Sequence, residues 1–115
     1  MEWSLSTTLK LSLHKGLFGS YVKLTSKTDY ITFAKNVWKM LRKHICSLQT
    51  RGYKCQPASN KKVTVKCRKG LLYVDIHNIS EKGGKRHHTH ITLDTTEWAK
   101  FLTIVPVIDE VIYRH

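Results

Sequence analysis

The sequence predicts an α+β protein built from two tandem β-β-β(-β)-α repeats, whose antiparallel curved sheets carry helices that pack together in an intrachain pseudo-dimer. One pattern occurs twice at an offset of sixty residues, as ITFAKNVWKMLR at 31–42 and ITLDTTEWAKFL at 91–102. Apolar residues alternate with polar ones upstream of each copy, as in half-buried strands. The 115 residues suffice for one small domain or for two units that share a core.

Each half is predicted to run strand, tight turn, strand, loop, strand, helix. The strand predictions rest on LKLSL, YVKL and ITF in the first half and on VTVKC, YVDI and ITL in the second. Aligning Lys15-Gly16 with Lys69-Gly70 superposes the two hairpins if the first copy carries two extra residues within 17–20. The sustained agreement along the chain predicts a duplicated unit.

Apolar residues at helical spacing predict one helix in each half. The two stripes are Trp38, Leu41, Ile45 and Leu48, and Trp98, Phe101, Val105 and Ile108. Asp94 and Glu97 have the spacing of a capping box, so the second helix is predicted to start there, whereas Ala34 leaves the first start poorly marked. Pro106 predicts a kink or break near Val105, with a restart through 108–113. Both helix tryptophans lie on the apolar stripe and are expected in the core.

The chain is divided into a first, degenerate repeat (1–50), a linker (51–61) and a second repeat (62–115). The linker prediction rests on QTRGYKCQPASNK at 49–61, which contains Gly, Pro, Ser and Asn and has no periodicity. Roughly 50 residues are near the limit of independent folding. We therefore expect the two halves to share one core in a compact unit.

Charge is the strongest global signal. Twenty Lys and Arg residues against eight acids give a net charge of +12, which favours a polyanionic partner. Residues 1–62 hold twelve of the basic residues and only two acids. The apolar runs are too short to span a membrane and the N-terminal segment does not resemble a signal peptide. We expect an intracellular protein with no membrane partner, nuclear if its source is eukaryotic or viral.

Neither a metal centre nor a catalytic site is indicated. The three cysteines (Cys46, Cys55 and Cys67) are odd in number and lack CxxC spacing, so we expect reduced thiols, with Cys67 in the core. The segment His87-His88-x-His90 has no thiol or carboxylate nearby in sequence, and we expect it to become more cationic below about pH 6.5. No nucleophile motif, phosphate loop or acidic pair is found, so we predict a protein that is not an enzyme and has no cofactor.

Strand alternation assigns the residues that face away from the core. In the first half these are Lys10, Ser12, His14, Tyr21, Lys23, Tyr30 and Thr32. In the second half they are Thr64, Lys66, Arg68, Tyr73, Asp75, His77, His88, His90 and Thr92. Apart from Asp75, every one is basic, aromatic, histidine or hydroxyl-bearing. Cations that replace counterions and rings that stack on bases are what a single-stranded nucleic-acid surface requires.

The candidate binding residues fall into three groups. Those expected to contact phosphates are Lys61, Lys62, Lys66, Arg68, Lys69, Lys85 and Arg86, together with Lys10, Lys15 and Lys23. The expected base-stacking residues are Tyr21, Tyr30 and Tyr73. The histidines expected on the same surface are His14, His77 and His88.

The second half resembles the C-terminal domain of the transcriptional coactivator called positive cofactor four. The resemblance is carried by VTVKCRKGLLYVDI at 63–76 and ITLDTTEWAKFLTIVPVID at 91–109. The matching positions are Lys69-Gly70, Val74-Asp75-Ile76, Ile91, Leu93, Trp98, Phe101, Val105, Ile108 and Asp109. The first half resembles a degenerate second copy, with Lys23 and Gln49 where the family pattern has aspartates.

This resemblance implies a sheet-and-helix unit that dimerises through its helices and binds single-stranded or unwound DNA on curved sheets, an architecture similar to that of Whirly and Pur-alpha proteins. The family's aromatic residue before Lys-Gly is replaced by Arg68 here and by His14 in the first copy. A later aromatic pair is replaced by Ile79 and Ser80. Unequal binding by the two halves is therefore expected.

Three functions remain open from the sequence. The leading one is a non-enzymatic protein that binds single-stranded DNA with low sequence specificity, in transcription or replication. An RNA-binding protein would use the same surface. A transcription adaptor acting through protein contacts would instead use the basic surface to meet acidic segments. The expected state is a monomeric pseudo-dimer, with a higher homo-oligomer as the alternative.

Overall fold

The computed structural model describes residues 1–114, which form eight strands and two helices in an α+β fold. The strands of the first sheet are β1 (Glu2–Ser4), β2 (Lys10–Gly16), β3 (Gly19–Thr25) and β4 (Tyr30–Ala34), followed by α1 (Lys35–His44). Those of the second sheet are β5 (Lys54–Ala58), β6 (Lys61–Arg68), β7 (Leu71–Lys82) and β8 (Lys85–Leu93), followed by α2 (Thr95–Ile112). Both sheets are antiparallel, with strand orders β1-β2-β3-β4 and β5-β6-β7-β8. The predicted α+β class is confirmed.

Strand register corrects the alignment of the two hairpins. Gly16 pairs with Gly19, so the first two-residue turn is Leu17-Phe18 and not Lys15-Gly16. Lys69-Gly70 forms the second turn, with positive φ at both residues, as in a type I′ hairpin turn. The hairpins therefore correspond at an offset of 52 residues, with no insertion in the first copy.

The segment predicted as a linker contains a strand. Residues 54–58 form β5, which pairs with β6 through a bulge and buries Cys55 and Pro57 against the core. Pro57 is compatible with this position because edge strands tolerate the missing N–H. The optional fourth strand of the predicted β-β-β(-β)-α order is β1 in the first sheet, which the sequence did not place because it is only three residues long.

The two helices begin differently, as the sequence predicts. Asp94 accepts a hydrogen bond from the backbone N–H of Glu97 at 2.8 Å, and the Glu97 carboxylate accepts one from the Asp94 N–H at 3.0 Å, which completes the capping box. Ala34 caps α1 without any side-chain hydrogen bond. The predicted break at Pro106 is wrong, since α2 is continuous from Thr95 to Ile112. Burial of residues on both sides of Pro106 holds the helix in one piece.

A single hydrophobic core contains residues of both sheets and both helices. All inward residues predicted from strand alternation are buried except Leu13 and Cys67, which are half-buried. Cys55, and not Cys67, is the cysteine in the core, where burial raises the pKa of its thiol. Trp38 is fully buried and Trp98 is 7% exposed, so both predicted core positions are confirmed.

Polar contacts join the two halves across the helices. The indole Nε1 of Trp38 donates to Asp109 Oδ1 at 2.8 Å, and Arg42 Nε donates to Asp109 Oδ2 at 2.6 Å. Strand β4 lies beside β8, and α2 contacts β2 of the first sheet. Neither helix within residues 1–114 has the length and apolar character needed to cross a membrane.

Candidate nucleic-acid interface

The outward face of the first sheet brings four predicted site residues together. Antiparallel register places Tyr21 opposite His14, and their rings stack with centroids 5.2 Å apart and planes at 18°. Lys23 lies on the same face, with its Nζ 4.4 Å from the centroid of the Tyr30 ring. Tyr30 remains 54% exposed. The face thus presents accessible rings with a cation beside one of them.

Tyr21, Lys23 and Tyr30 form one wall of a groove of about 1000 Å³, here called the first-sheet groove. Its lining comprises residues 16–21 of the hairpin, Lys23, Tyr30, Thr32, residues 34–36, Lys39 and Tyr113. Lys35 Nζ lies 5.9 Å from the centroid of the Tyr113 ring. No acidic residue within 1–114 lines this groove. The site therefore combines three lysines with three tyrosines in an environment that favours an anion with flat, aromatic groups.

The turn at the mouth of the groove carries two exposed apolar side chains. Leu17 and Phe18, here called the hairpin tip, have relative exposures of 99% and 104%. Turns usually contain Gly, Asn, Asp, Pro or Ser, which have local conformational or hydrogen-bonding reasons to be there. The adjacent Gly19 has φ of 112° and supplies the left-handed conformation that the hairpin needs. The tip residues themselves have no role in the core.

A buried carboxylate dominates the outward face of the second sheet. Asp75 is only 7% exposed and accepts a hydrogen bond from Thr92 Oγ1 at 3.0 Å. The Asp75 carboxylate also lies 3.7 Å from Lys66 Nζ and 3.3 Å from His90 Nδ1. Lys66 was expected to contact phosphate, yet its charge is already partly compensated within the protein.

Three histidines stack across β7 and β8 next to this carboxylate. The rings of His77 and His90 are parallel within 4°, with centroids 4.2 Å apart. The His88 ring also stacks with His77, at 5.1 Å between centroids. His77 Nε2 and His88 Nδ1 are 2.9 Å apart. Desolvation, followed by the proximity of His90 and His88, lowers the pKa of His77. The His77 ring is therefore biased toward its neutral form.

The second sheet has a smaller groove near its hairpin. Arg68, Lys69 and Tyr73 line a space of about 590 Å³, and Arg68 Cζ lies 5.7 Å from the Tyr73 ring centroid. Asp94 and Glu97 of the capping box line the same space. Two carboxylates thus stand beside the predicted cations, which weakens this groove as an anion site.

The other predicted cations are distributed unevenly. Lys61 is only 8% exposed, and burial lowers the pKa of its ammonium group, which lies 5.9 Å from the Phe33 ring centroid. The Lys61 charge is therefore less accessible to a phosphate than the sequence predicts, because the residue lies where the two halves meet. Lys10 and Arg86 are exposed and lie within 4 Å of Glu2 and Glu81. The other exposed lysines among the predicted phosphate contacts are Lys15, Lys62, Lys69 and Lys85.

A third cavity lies between the two sheets, where β4 contacts β8. It has a volume of about 370 Å³ and is lined by Tyr30 and Thr32 on one side and by Lys82, His87 and Thr89 on the other. Tyr30 lines both this cavity and the first-sheet groove. A ligand in the groove could therefore continue over Tyr30 toward the second sheet.

Sequence reasoning missed several groove residues that come from outside the first sheet. Lys35 and Lys39 belong to α1, and their spacing of four residues, continued by Lys43, is the signal that would have found them. Tyr113 follows α2 and reaches the groove only through the fold. Leu17 and Phe18 were recognisable from the sequence as apolar residues in a turn.

Within residues 1–114, no group of three or more His, Cys, Asp or Glu side chains is arranged to hold a metal ion. Comparison with protein-family models finds no match to this chain. Comparison with curated proteins also finds none. The resemblance to positive cofactor four therefore stays a prediction from the residues that carry it.

Proposed function

We propose that this chain is a non-enzymatic protein that binds single-stranded DNA with low sequence specificity through the outward faces of its sheets. The observation that carries the proposal is the first-sheet groove, where Tyr21, Tyr30 and Tyr113 stand among Lys23, Lys35 and Lys39 with no acid in the lining. Lysines bind phosphates without reading bases, and aromatic rings stack on any base. Such a surface favours strands whose bases are unpaired and accessible.

The same proposal includes a pseudo-dimer of two tandem sheet-and-helix units. Support comes from the matching order of four strands and a helix in each half and from hairpins that correspond residue by residue. The equivalent tryptophans, Trp38 and Trp98, are both buried. In this arrangement one chain supplies the two sheet faces that two copies supply in the family it resembles.

The direct test is fluorescence anisotropy with a labelled oligothymidylate, a duplex of equal length and an RNA of equal length, each across a salt series. We expect tighter binding to the single strand than to the duplex, and an affinity that falls linearly with salt on logarithmic axes as counterions are released. Equal affinity for duplex, or no dependence on salt, would contradict the proposal. Tighter binding to RNA would assign the surface to RNA instead.

A further inference from the structure

We propose that the first-sheet groove is the primary binding site, in which successive unstacked nucleobases lie against Tyr30 at one end and against the hairpin tip at the other, while Lys35 and Lys39 hold the adjoining phosphates. This inference rests on the proposed function and makes the first sheet face, and not the second, the main DNA-binding surface. The second half has the closer resemblance to positive cofactor four, so the ranking does not follow from that resemblance.

The two sheet faces carry opposite charges at equivalent positions. Lys23 and Asp75 each stand two residues after the outward tyrosine of their hairpin, and each is paired with a threonine, Thr32 or Thr92. A cation therefore occupies the middle of the first face and a buried carboxylate the middle of the second. Asp75 repels a phosphate and also engages Lys66, whereas Lys23 has an aromatic ring as its neighbour.

At the start of its helix, the groove of the second sheet is lined by acidic residues, whereas the first-sheet groove is lined there by lysine. Asp94 and Glu97 line the second groove at the start of α2. At the corresponding start of α1 the first groove has Ala34 and Lys35. The absence of an acidic cap on α1 costs that helix a stabilising interaction, yet it leaves the groove free of negative charge.

The hairpin tip supplies an apolar surface that a base can use. Phe18 lies at the mouth of the groove and is fully exposed, so its ring can stack on one base while Tyr30, which pairs with Thr25 at the far end of β3, contacts another. The second turn has Lys69-Gly70 in the same place, which offers a cation but no ring. Apolar side chains placed against unpaired bases are a recurring device in nucleic-acid binding.

The affinity test uses matched variants in the two halves and an oligothymidylate of about 12 nucleotides. Phe18→Ser and Tyr30→Ala are expected to weaken binding by roughly 5- to 100-fold, as the loss of base stacking does. Leu71→Ser, which removes an exposed apolar residue next to the second turn, and Tyr73→Ala are expected to change affinity by less than about 3-fold. Phe18 packs against nothing, so its variant should fold normally.

A charge control separates the groove from the general basicity of the protein. Lys35→Gln combined with Lys39→Gln should weaken binding and reduce the salt slope by about 1.4. Lys54→Gln combined with Lys100→Gln removes the same charge from exposed positions outside the groove and should have a smaller effect. Equal losses in both double variants would overturn the assignment of phosphates to the groove.

Photo-cross-linking provides a readout that does not depend on substitutions. A strand containing 5-iododeoxyuridine should form adducts with Phe18, Tyr21 or Tyr30 in the unmodified protein. Adducts confined to Tyr73 or the histidines of the second sheet, or larger losses from the second-half variants, would overturn the inference while leaving the proposed function intact.

If the unmodified protein binds no single strand, the proposed function itself fails. A dimer that is lost in Phe18→Ser, with DNA binding unchanged, would assign the tip to a second copy of the chain and overturn the inference.

Discussion

Lys23 and Asp75 show how one residue can set the character of a sheet face. Both face outward at the fifth position of a hairpin strand, yet Lys23 is half-buried beside Tyr30 while Asp75 is almost wholly buried among Lys66, His90 and Thr92. A carboxylate accepts several hydrogen bonds and draws cations toward itself, so its neighbours turn inward to it. The lysine at the equivalent position has no acid to pair with and leaves its charge available.

The histidine stack makes stability depend on pH. The pKa of His77 is lowered by desolvation and by His90 and His88 on β8; Lys62 on β6 lowers it further, and Asp75 on β7 opposes them. The folded protein therefore binds fewer protons at this site than the unfolded chain. As pH falls through the unfolded value near 6.5, the unfolded state is favoured and the free energy of unfolding decreases.

Urea unfolding at about pH 7.5 and about pH 5.5 tests this expectation. The unmodified protein should lose more stability across that range than His77→Gln does. His87→Gln, an exposed histidine on β8 that does not belong to the stack, should behave like the unmodified protein. An identical pH dependence in His77→Gln and the unmodified protein would contradict the assignment.

Helix α2 shows how packing overrides local preference at the scale of an element. Proline inside a helix removes one hydrogen bond and crowds the preceding turn, and these effects led to the expectation of a break at Pro106. The structure keeps the helix continuous because Val105, Ile108 and Ile112 are all buried. Pro106 itself is exposed, so the proline ring faces away from the core. Helical stability in a folded protein comes mainly from such tertiary burial.

Replacing this proline should therefore stabilise the protein. Pro106→Ala restores an N–H donor to an existing helix and should raise the free energy of unfolding by about 1–3 kcal/mol, measured by urea denaturation. Lys100→Ala, at an exposed position of the same helix, should change it by less than about 0.5 kcal/mol. A Pro106→Ala variant no more stable than the original would show that the proline offsets its missing hydrogen bond by restricting the unfolded chain.

At the scale of the whole molecule, the two halves are joined by one core and by Asp109. This carboxylate accepts hydrogen bonds from Trp38 and Arg42 of the other half. The second tryptophan has no such acceptor, since Trp98 Nε1 is buried without a hydrogen-bond partner in the described part of the chain. Gln49, sixty residues before Asp109, lines a cavity of about 260 Å³ together with Trp98. The interface between the halves is therefore unequal.

Asp109→Asn tests the coupling between the halves. The change removes the charged acceptor of Arg42 and should lower the free energy of unfolding by about 1.5–3 kcal/mol. Glu110→Gln, which affects only an exposed pair with Arg114, should cost less than about 0.5 kcal/mol. Tryptophan fluorescence and far-ultraviolet circular dichroism should report one coincident transition in both variants. Two separate transitions would show that the halves fold independently.

The sequence by itself determined the α+β class, the inward and outward faces of most strands, the capping box at Asp94 and the burial of both helix tryptophans. These features depend on local periodicity and on contacts within a few residues, which a sequence displays directly. Most outward cations and aromatic residues were also predicted from alternation. The burial of Lys61 was not, since that residue alternates like a solvent-facing one until the second half covers it.

Only the tertiary structure decided which of the predicted surface residues converge. The first-sheet groove is completed by Lys35 and Lys39 of α1 and by Tyr113, which follows α2 and is far from α1 in sequence. Strand register, which depends on pairing partners and not on local pattern, moved the first turn to Leu17-Phe18 and recruited residues 54–58 into a strand. The long-range arrangement of charge, with Asp75 engaged and Lys23 free of acids, follows from that register because antiparallel pairing brings side chains together across strands.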